Sequence, residues 1–245
     1  MPSSRERIPQ PERILDALAQ ARLSHLLSVN PDLHHDLSRW LSALLASTHN
    51  LTAVRDPDRA IAKHIVEPLS GWGRILAADL AVPFGPLIDI GSGNGAPGLP
   101  IALAEPQRPA TLLDSRDTAV RFLDHATAAH PQITVLKQRA EVAARGPLRE
   151  AFAVAVTRAA AAPAVALELC LPFLDRGGVL AMWTGPLEHP QQRQLAEVAD
   201  TLGATVSPVE VAAGLFVATK LRRTPNSYPR RWAQIRRAPL GSGRN

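Results

Sequence analysis

The chain has 245 residues, 46% of them hydrophobic, enough for one large domain with a terminal extension and a substantial core. No apolar stretch reaches membrane-spanning length, and the single cysteine, Cys170, excludes an intramolecular disulfide and a cysteine-rich zinc site. The formal net charge of +5 is uneven: residues 220–245 hold eight Lys and Arg and no acid, while the other 219 hold 19 basic and 22 acidic residues, a net −3. Such asymmetry points to a polyanion partner.

The opening residues, MPSSRERIPQPER, lack the apolar run of a signal peptide, so a cytoplasmic protein is expected. Two helices follow. Leu15, Leu18, Leu23, Leu26 and Leu27 form an approximate apolar face. Leu33, Leu37, Trp40, Leu41, Leu44 and Leu45 form a clearer one, with Asn30 as N-cap and Pro31 at the first helical position. Asp56-Pro57 repeats that start signal and opens a helix with Ile61, His64, Ile65 and Leu69 inward. From Leu87 strand-like runs (LIDI, ATLLD, ITVLK, AFAVAVT, GGVLAMW) alternate with helices near 96–104, 116–130, from about 163, and near 189–202, which predicts a parallel sheet with covering helices. ATVSPVEV and GLFVATKLRR are expected to pair as an antiparallel hairpin. The Pro/Arg-rich residues after Thr224 read as irregular. The expected organisation is a helical extension over 1–80, a catalytic domain over 81–223 and a basic, flexible tail over 224–245.

The stretch LIDIGSGNGAPGLPIAL (87–103) carries the first chemical signal. Gly91, Gly93 and Gly95 let the chain turn sharply after a strand and approach a ligand closely, and the following helix offers free N–H groups. GSGNGA, ending at Ala96, fits the dinucleotide pattern, which nicotinamide, flavin and S-adenosylmethionine proteins share. Asp114 ends the next strand, where a carboxylate accepts both hydroxyls of an adenosine ribose. Three features favour S-adenosylmethionine: Asp89 near the expected methionine amino group, Glu141 after the third strand where methyltransferases hold adenine, and the reversed last strand of class I methyltransferases. An NAD(P)-dependent oxidoreductase on the same sheet is the alternative. The residues after the fourth strand, Thr157-Arg158-Ala159-Ala160, are not the Asn/Asp-Pro-Pro-aromatic turn of exocyclic-amine methyltransferases, and Cys170 sits in an apolar helix, unsuited to cytosine C5 chemistry. A nucleophile needing little activation remains, such as guanine N7.

NLTAVRDP (50–57), KHIVEP (63–68), DIGSGNGAPGLPIAL (89–103), LLDS (112–115), VRFL (120–123), RAE (139–141) and TRAA (157–160) occur in this order. With these motifs the chain resembles the RsmG (GidB) family of 16S rRNA guanine-N7 methyltransferases over about Leu41 to Arg223. The resemblance implies a class I, Rossmann-like α/β fold with a mostly parallel sheet, S-adenosylmethionine as cofactor, and a guanine in the decoding-site loop of 16S rRNA, in the small ribosomal subunit or its precursor, as target. Together with the glycine-loop reading it assigns Asp89, Gly91, Gly93, Gly95, Ala96, Asp114, Ala140, Glu141 and Arg158 to the cofactor. His64, Asn50 and Arg158 are the catalytic candidates, and no metal site is expected. Arg55 and Arg121 would face RNA, joined by Arg230, Arg231, Arg236 and Arg237 of the tail. The chain departs from the family where a Trp-Asn pair normally precedes Asn-Leu-Thr (here Leu45-Ala46) and where Asp-Ser is replaced by Glu67-Pro68, so a non-catalytic RNA-binding relative is a further alternative. A monomer is expected, and truncation after Arg223 should spare cofactor affinity.

Overall fold

A computed structural model describes residues 9–78, 80–158, 160–207 and 214–242. Five helical segments precede the sheet: α1 (Pro11–Gln20), α2 (Leu26–Val29), α3 (Leu33–Ala46), α4 (Pro57–Ile61) and α5 (Glu67–Ala77). The inward face of α1 carries Ile14 and Leu18, whereas the expected Leu15 is only partly buried. Asn30 does not cap α3. It ends α2, accepts the Asp32 N–H and donates to the Leu103 carbonyl, so the helix starts two residues later.

A π-helical turn, Ala62–Val66, joins α4 to α5. Pro68 gives a physical reason: its ring would clash with the His64 carbonyl in a regular helix, and a wider turn relieves that clash. The turn begins one turn after a side-chain cap, the Asp56 carboxylate accepting the Arg59 N–H at 2.8 Å.

The strands are β1 (Leu87–Ile90), β2 (Ala110–Asp114), β3 (Ile133–Lys137), β4 (Phe152–Arg158), β5 (Leu174–Trp183), β6 (Ala204–Val206) and β7 (Leu215–Lys220), in sheet order β3-β2-β1-β4-β5-β7-β6. Only β7 runs against the others. The fold is thus the expected mostly parallel α/β sheet with a reversed last strand. The expected hairpin forms, but β6 is three residues long and 208–213 lie outside the described residues. Helices α6 (Gly98–Ala104), α7 (Asp117–Thr127), α8 (Ala140–Ala143), α9 (Pro163–Cys170) and α10 (His189–Thr201) cover the faces. One core joins α1, α3 and α5 to α6 and the sheet; a second packs α9 and α10 on the opposite face, as both faces of a parallel sheet require.

The C-terminal segment corrects the expectation of an irregular tail. It carries α11 (Trp232–Arg237), and Ile235 is fully buried against Val165 and Leu169 of α9. Arg145 donates to the Pro229 carbonyl, Arg149 to those of Thr224 and Tyr228. Arg230 grips the fully buried Glu168 through its Nε at 2.9 Å and Nη2 at 2.6 Å.

Candidate active site

The strands of a parallel sheet end together, and the crevice beyond β1 and β4, where strand order reverses, is the natural ligand site. A cavity of about 600 Å³ lies there, lined by the loop after β1, the ends of β2, β3 and β4, the Leu51–Ala53 segment, the π-turn and Trp232. That volume suits a nucleoside-sized ligand.

Its floor is backbone. Gly91 has φ +71°, and a Cβ there would lie 2.7 Å from the Ala160 Cβ, so no other residue fits without displacement. Two buried groups stiffen the loop from below. The Trp40 indole N–H donates to the Asn94 carbonyl at 2.9 Å, and Asp89 accepts the Gly98 N–H at 3.1 Å. Asp89 thereby fixes the start of α6, which approaches so closely that a Cβ on Gly98 would fall 2.4 Å from Asp89 Cβ. This corrects two assignments. Asp89 is fully buried beneath the loop and Gly95 packs against Trp40 and Leu99; neither lines the cavity. Burial pushes the Asp89 carboxyl up to about 7, and its second oxygen has no partner.

Gly91, Gly93, Ala96, Asp114, Ala140, Glu141 and Arg158 do line the cavity together. Asp114 accepts the Gly93 N–H at 2.8 Å and that of Arg116 at 2.9 Å, while the Arg116 guanidinium lies over it from the solvent side. A ribose diol would displace that exposed guanidinium and keep the backbone bonds. Glu141 accepts from Arg139 Nε at 2.5 Å.

At the β4 end three side chains from distant segments meet. Arg158 Nη2 lies 3.0 Å from His64 Nδ1, and His64 Nε2 lies 3.0 Å from Thr52 Oγ1. A guanidinium can only donate, so Nδ1 accepts and the imidazole proton sits on Nε2, which donates to Thr52. Burial first, then the positive charges of Arg158 and Lys63, hold the His64 pKa at about 4, so the ring is neutral at physiological pH. Thr52 Oγ1 also accepts the Val54 N–H at 3.1 Å. With both lone pairs engaged, its own hydrogen is free to donate into the cavity. The acceptors that a half-buried Arg158 requires are thus His64 and the Lys63 carbonyl, not a ligand alone.

Asn50 is exposed and outside the cavity; its neighbour Thr52 reaches in instead. Sequence reading missed Thr52, Gln138 and Trp232, although Thr52 stands inside the Asn-Leu-Thr motif. Arg55, Arg121, Arg231, Arg236 and Arg237 are exposed, whereas Arg230 is committed to Glu168.

Comparison with known proteins agrees with this geometry. A family model described as GidB, rRNA small subunit methyltransferase G, matches residues 34–215. Ribosomal RNA small subunit methyltransferase G of Thermotoga neapolitana is 35% identical over 208 residues, covering 79% of this chain and 85% of its own length. The protein of that name from Clostridium beijerinckii is 34% identical over 78% of this chain and 83% of its own. One from a Thermotoga species (strain RQ2) is 32% identical over 92% of this chain and all of its own. The dehydrogenase alternative is not favoured: with its sheet order, its glycine loop and these relatives, the chain belongs to the GidB family of small-subunit rRNA methyltransferases and has the class I S-adenosylmethionine-dependent fold.

Proposed function

We propose that this chain methylates N7 of a guanine in the decoding-site loop of 16S rRNA, acting as a monomer in the cytoplasm on the small ribosomal subunit or its precursor. S-adenosylmethionine supplies an electrophilic methyl group on a sulfonium. The residues present fit it: a glycine floor with no room for a side chain at Gly91, Asp114 for the ribose, and Gln138–Glu141 at the far end of the same cavity.

The observation that supports the choice of N7 is that the relay at the β4 end offers no free base among the described residues; the one carboxylate in the adjoining cavity, Glu67, faces the Arg158 cation. His64 is neutral with both nitrogens engaged, and Arg158 is a cation. Asp114 and Glu141 lie at the other end, and Asp89 is sealed below the loop. An exocyclic amine would have to lose a proton; the N7 lone pair is free at neutral pH and needs only alignment and exclusion of water. A second cavity of about 340 Å³, sharing Lys63, Arg158 and Ala160 with the first and walled by Met182 and Trp183, has room for the target base. Arg158, which lines both cavities, and the Thr52 hydroxyl, which His64 fixes in the first, would orient it where the two cavities meet.

The test is methylation of small subunits from a strain lacking the family's enzyme, with the product read by borohydride and aniline cleavage at 7-methylguanine. Turnover at saturating substrate should be nearly flat between about pH 6 and 8, because His64 titrates well below that window. A tenfold rise per pH unit there would point to an amine target.

A further inference from the structure

A nucleoside with its ribose on Asp114, at the end of β2, would extend its base along the cavity toward the turn between β3 and α8. The protein groups there are Gln138, Arg139, Ala140 and Glu141, with Leu169 from α9 and Trp232 from α11 opposite. The family model ends at residue 215, so Trp232 comes from beyond the matched domain.

We infer that Trp232 is a cofactor-binding residue, supplying the wall against which the adenine of S-adenosylmethionine packs; this rests on the methyltransferase reading above. The indole is half-buried, lines the cavity and lies beneath the Arg139 guanidinium, whose Cζ is 5.2 Å from the ring centroid. Arg139 is in turn held by Glu141. The carboxylate read as an adenine contact is therefore tied up in an ion pair, and the broad apolar surface offered to a purine is the indole. A planar, half-exposed aromatic backed by a cation suits a neutral heteroaromatic ring, since stacking needs no hydrogen-bond pattern.

The segment is anchored as a wall must be. Glu168, fully buried, is met by the Arg230 backbone N–H at 2.8 Å and by its guanidinium, and Ile235, one turn after Trp232, packs with it against Val165 and Leu169 of α9. Gln194 of α10 holds the Gly241 carbonyl at 2.6 Å. Arg145 and Arg149, from the loop before β4, hold the same segment at Pro229 and Tyr228. On this inference truncation after Arg223 would weaken the cofactor, against the expectation from the sequence.

The test uses S-adenosylhomocysteine and adenosine as probes, titrated calorimetrically into the wild-type chain and into Trp232→Ala and Trp232→Phe. Loss of the indole should weaken both probes by about tenfold or more, and Phe should restore most of that loss. Adenosine lacks the methionine arm, so an equal effect on both probes locates Trp232 at the base. A second readout needs no loss of binding. Trp40, Trp72 and Trp183 are at most 5% exposed, which leaves Trp232 as the accessible fluorophore. S-adenosylhomocysteine should perturb tryptophan emission in the wild type and not in Trp232→Phe. Unchanged affinities, with the emission change persisting in Trp232→Phe, would overturn the inference while leaving the methyltransferase reading intact. Failure of the wild type to bind either probe would overturn both.

Discussion

The two ends of the cavity are built from different materials. The end beneath Gly91 and Gly93 is backbone, stiffened from below by Trp40 and Asp89, and a Cβ on Gly91 would collide with Ala160. The β4 end is a relay of three side chains, Thr52, His64 and Arg158, whose bonded pairs are 12 and 94 residues apart in sequence. A backbone floor accepts one ligand shape and fails completely when filled. A side-chain relay orients a reactant and should fail by degrees.

The largest expected effect is at the floor. Gly91→Val adds a β-branched side chain where φ is +71° and where even a Cβ would lie 2.7 Å from Ala160. S-adenosylhomocysteine affinity should fall by more than about 100-fold, some 2.7 kcal/mol or more. Binding within a few-fold of wild type, measured by calorimetry, would remove the contrast between the two ends.

The relay should show the opposite pattern. Thr52→Val keeps the shape but deprives the His64 Nε2–H and the Val54 N–H of their acceptor and removes the hydroxyl hydrogen that the relay leaves free for the cavity. Turnover on small subunits should drop about 10- to 100-fold through misplacement of the base. S-adenosylhomocysteine affinity should stay within about twofold. A loss shared equally between cofactor affinity and turnover would mean that the relay holds the cofactor, not the base.

These two ends were not equally legible in the sequence. The period change at Leu87, the alternation of strand and helix, and the glycine loop are local signals, and the sheet follows them. The relay is not local: Asn50 looked like the polar contact of its motif, but the chain turns so that Thr52 reaches His64. Trp40 read as core, and it is, yet its one polar atom also pins the loop at Asn94. The C-terminal segment was the least legible. A six-residue helix shows too little periodicity to be seen, and it is held by Glu168 and Ile235 contacts that only the folded chain reveals.

The two ends should also respond oppositely to acid. The folded-state pKa of Asp89 is raised from 3.8 to about 7, so between those values the folded state binds more protons than the unfolded and stability falls as pH rises. The His64 pKa is lowered from 6.5 to about 4, so there the unfolded state binds more protons and stability rises with pH. From about pH 4 to 6.5 the two slopes cancel in the wild type. Asp89→Asn should leave a stability that increases with pH across that window, and His64→Gln one that decreases. Urea unfolding at a series of pH values checks this, and parallel profiles for the two variants would show that one of the two groups is solvated.

The smallest effect concerns the charge that opened the question of a polyanion. Eight basic residues lie in 220–245, but the fold consumes most of those described. Lys220 is fully buried, donating to the Leu171 carbonyl and to Thr224, and burial lowers its pKa to about 8. Arg222 pairs with Asp200, Arg223 with Glu150 and Arg230 with Glu168. Among the described residues that leaves Arg231, Arg236 and Arg237, all exposed on or beside α11. Each phosphate contact contributes roughly 0.7 to 0.9 to the salt slope, so three contacts set a ceiling of about 2 to 3. Replacing these three arginines with Ala should flatten the dependence of log affinity for small subunits on log salt by no more than that. Cofactor affinity should not change, because their guanidinium groups lie outside the cavity lining. A drop of five or more would mean that the paired arginines let go of their carboxylates on RNA, and that the segment carrying Trp232 is remodelled when the ribosome binds. An unchanged slope would move the RNA surface to Arg55 and Arg121, the exposed arginines nearest the relay in sequence and on α7.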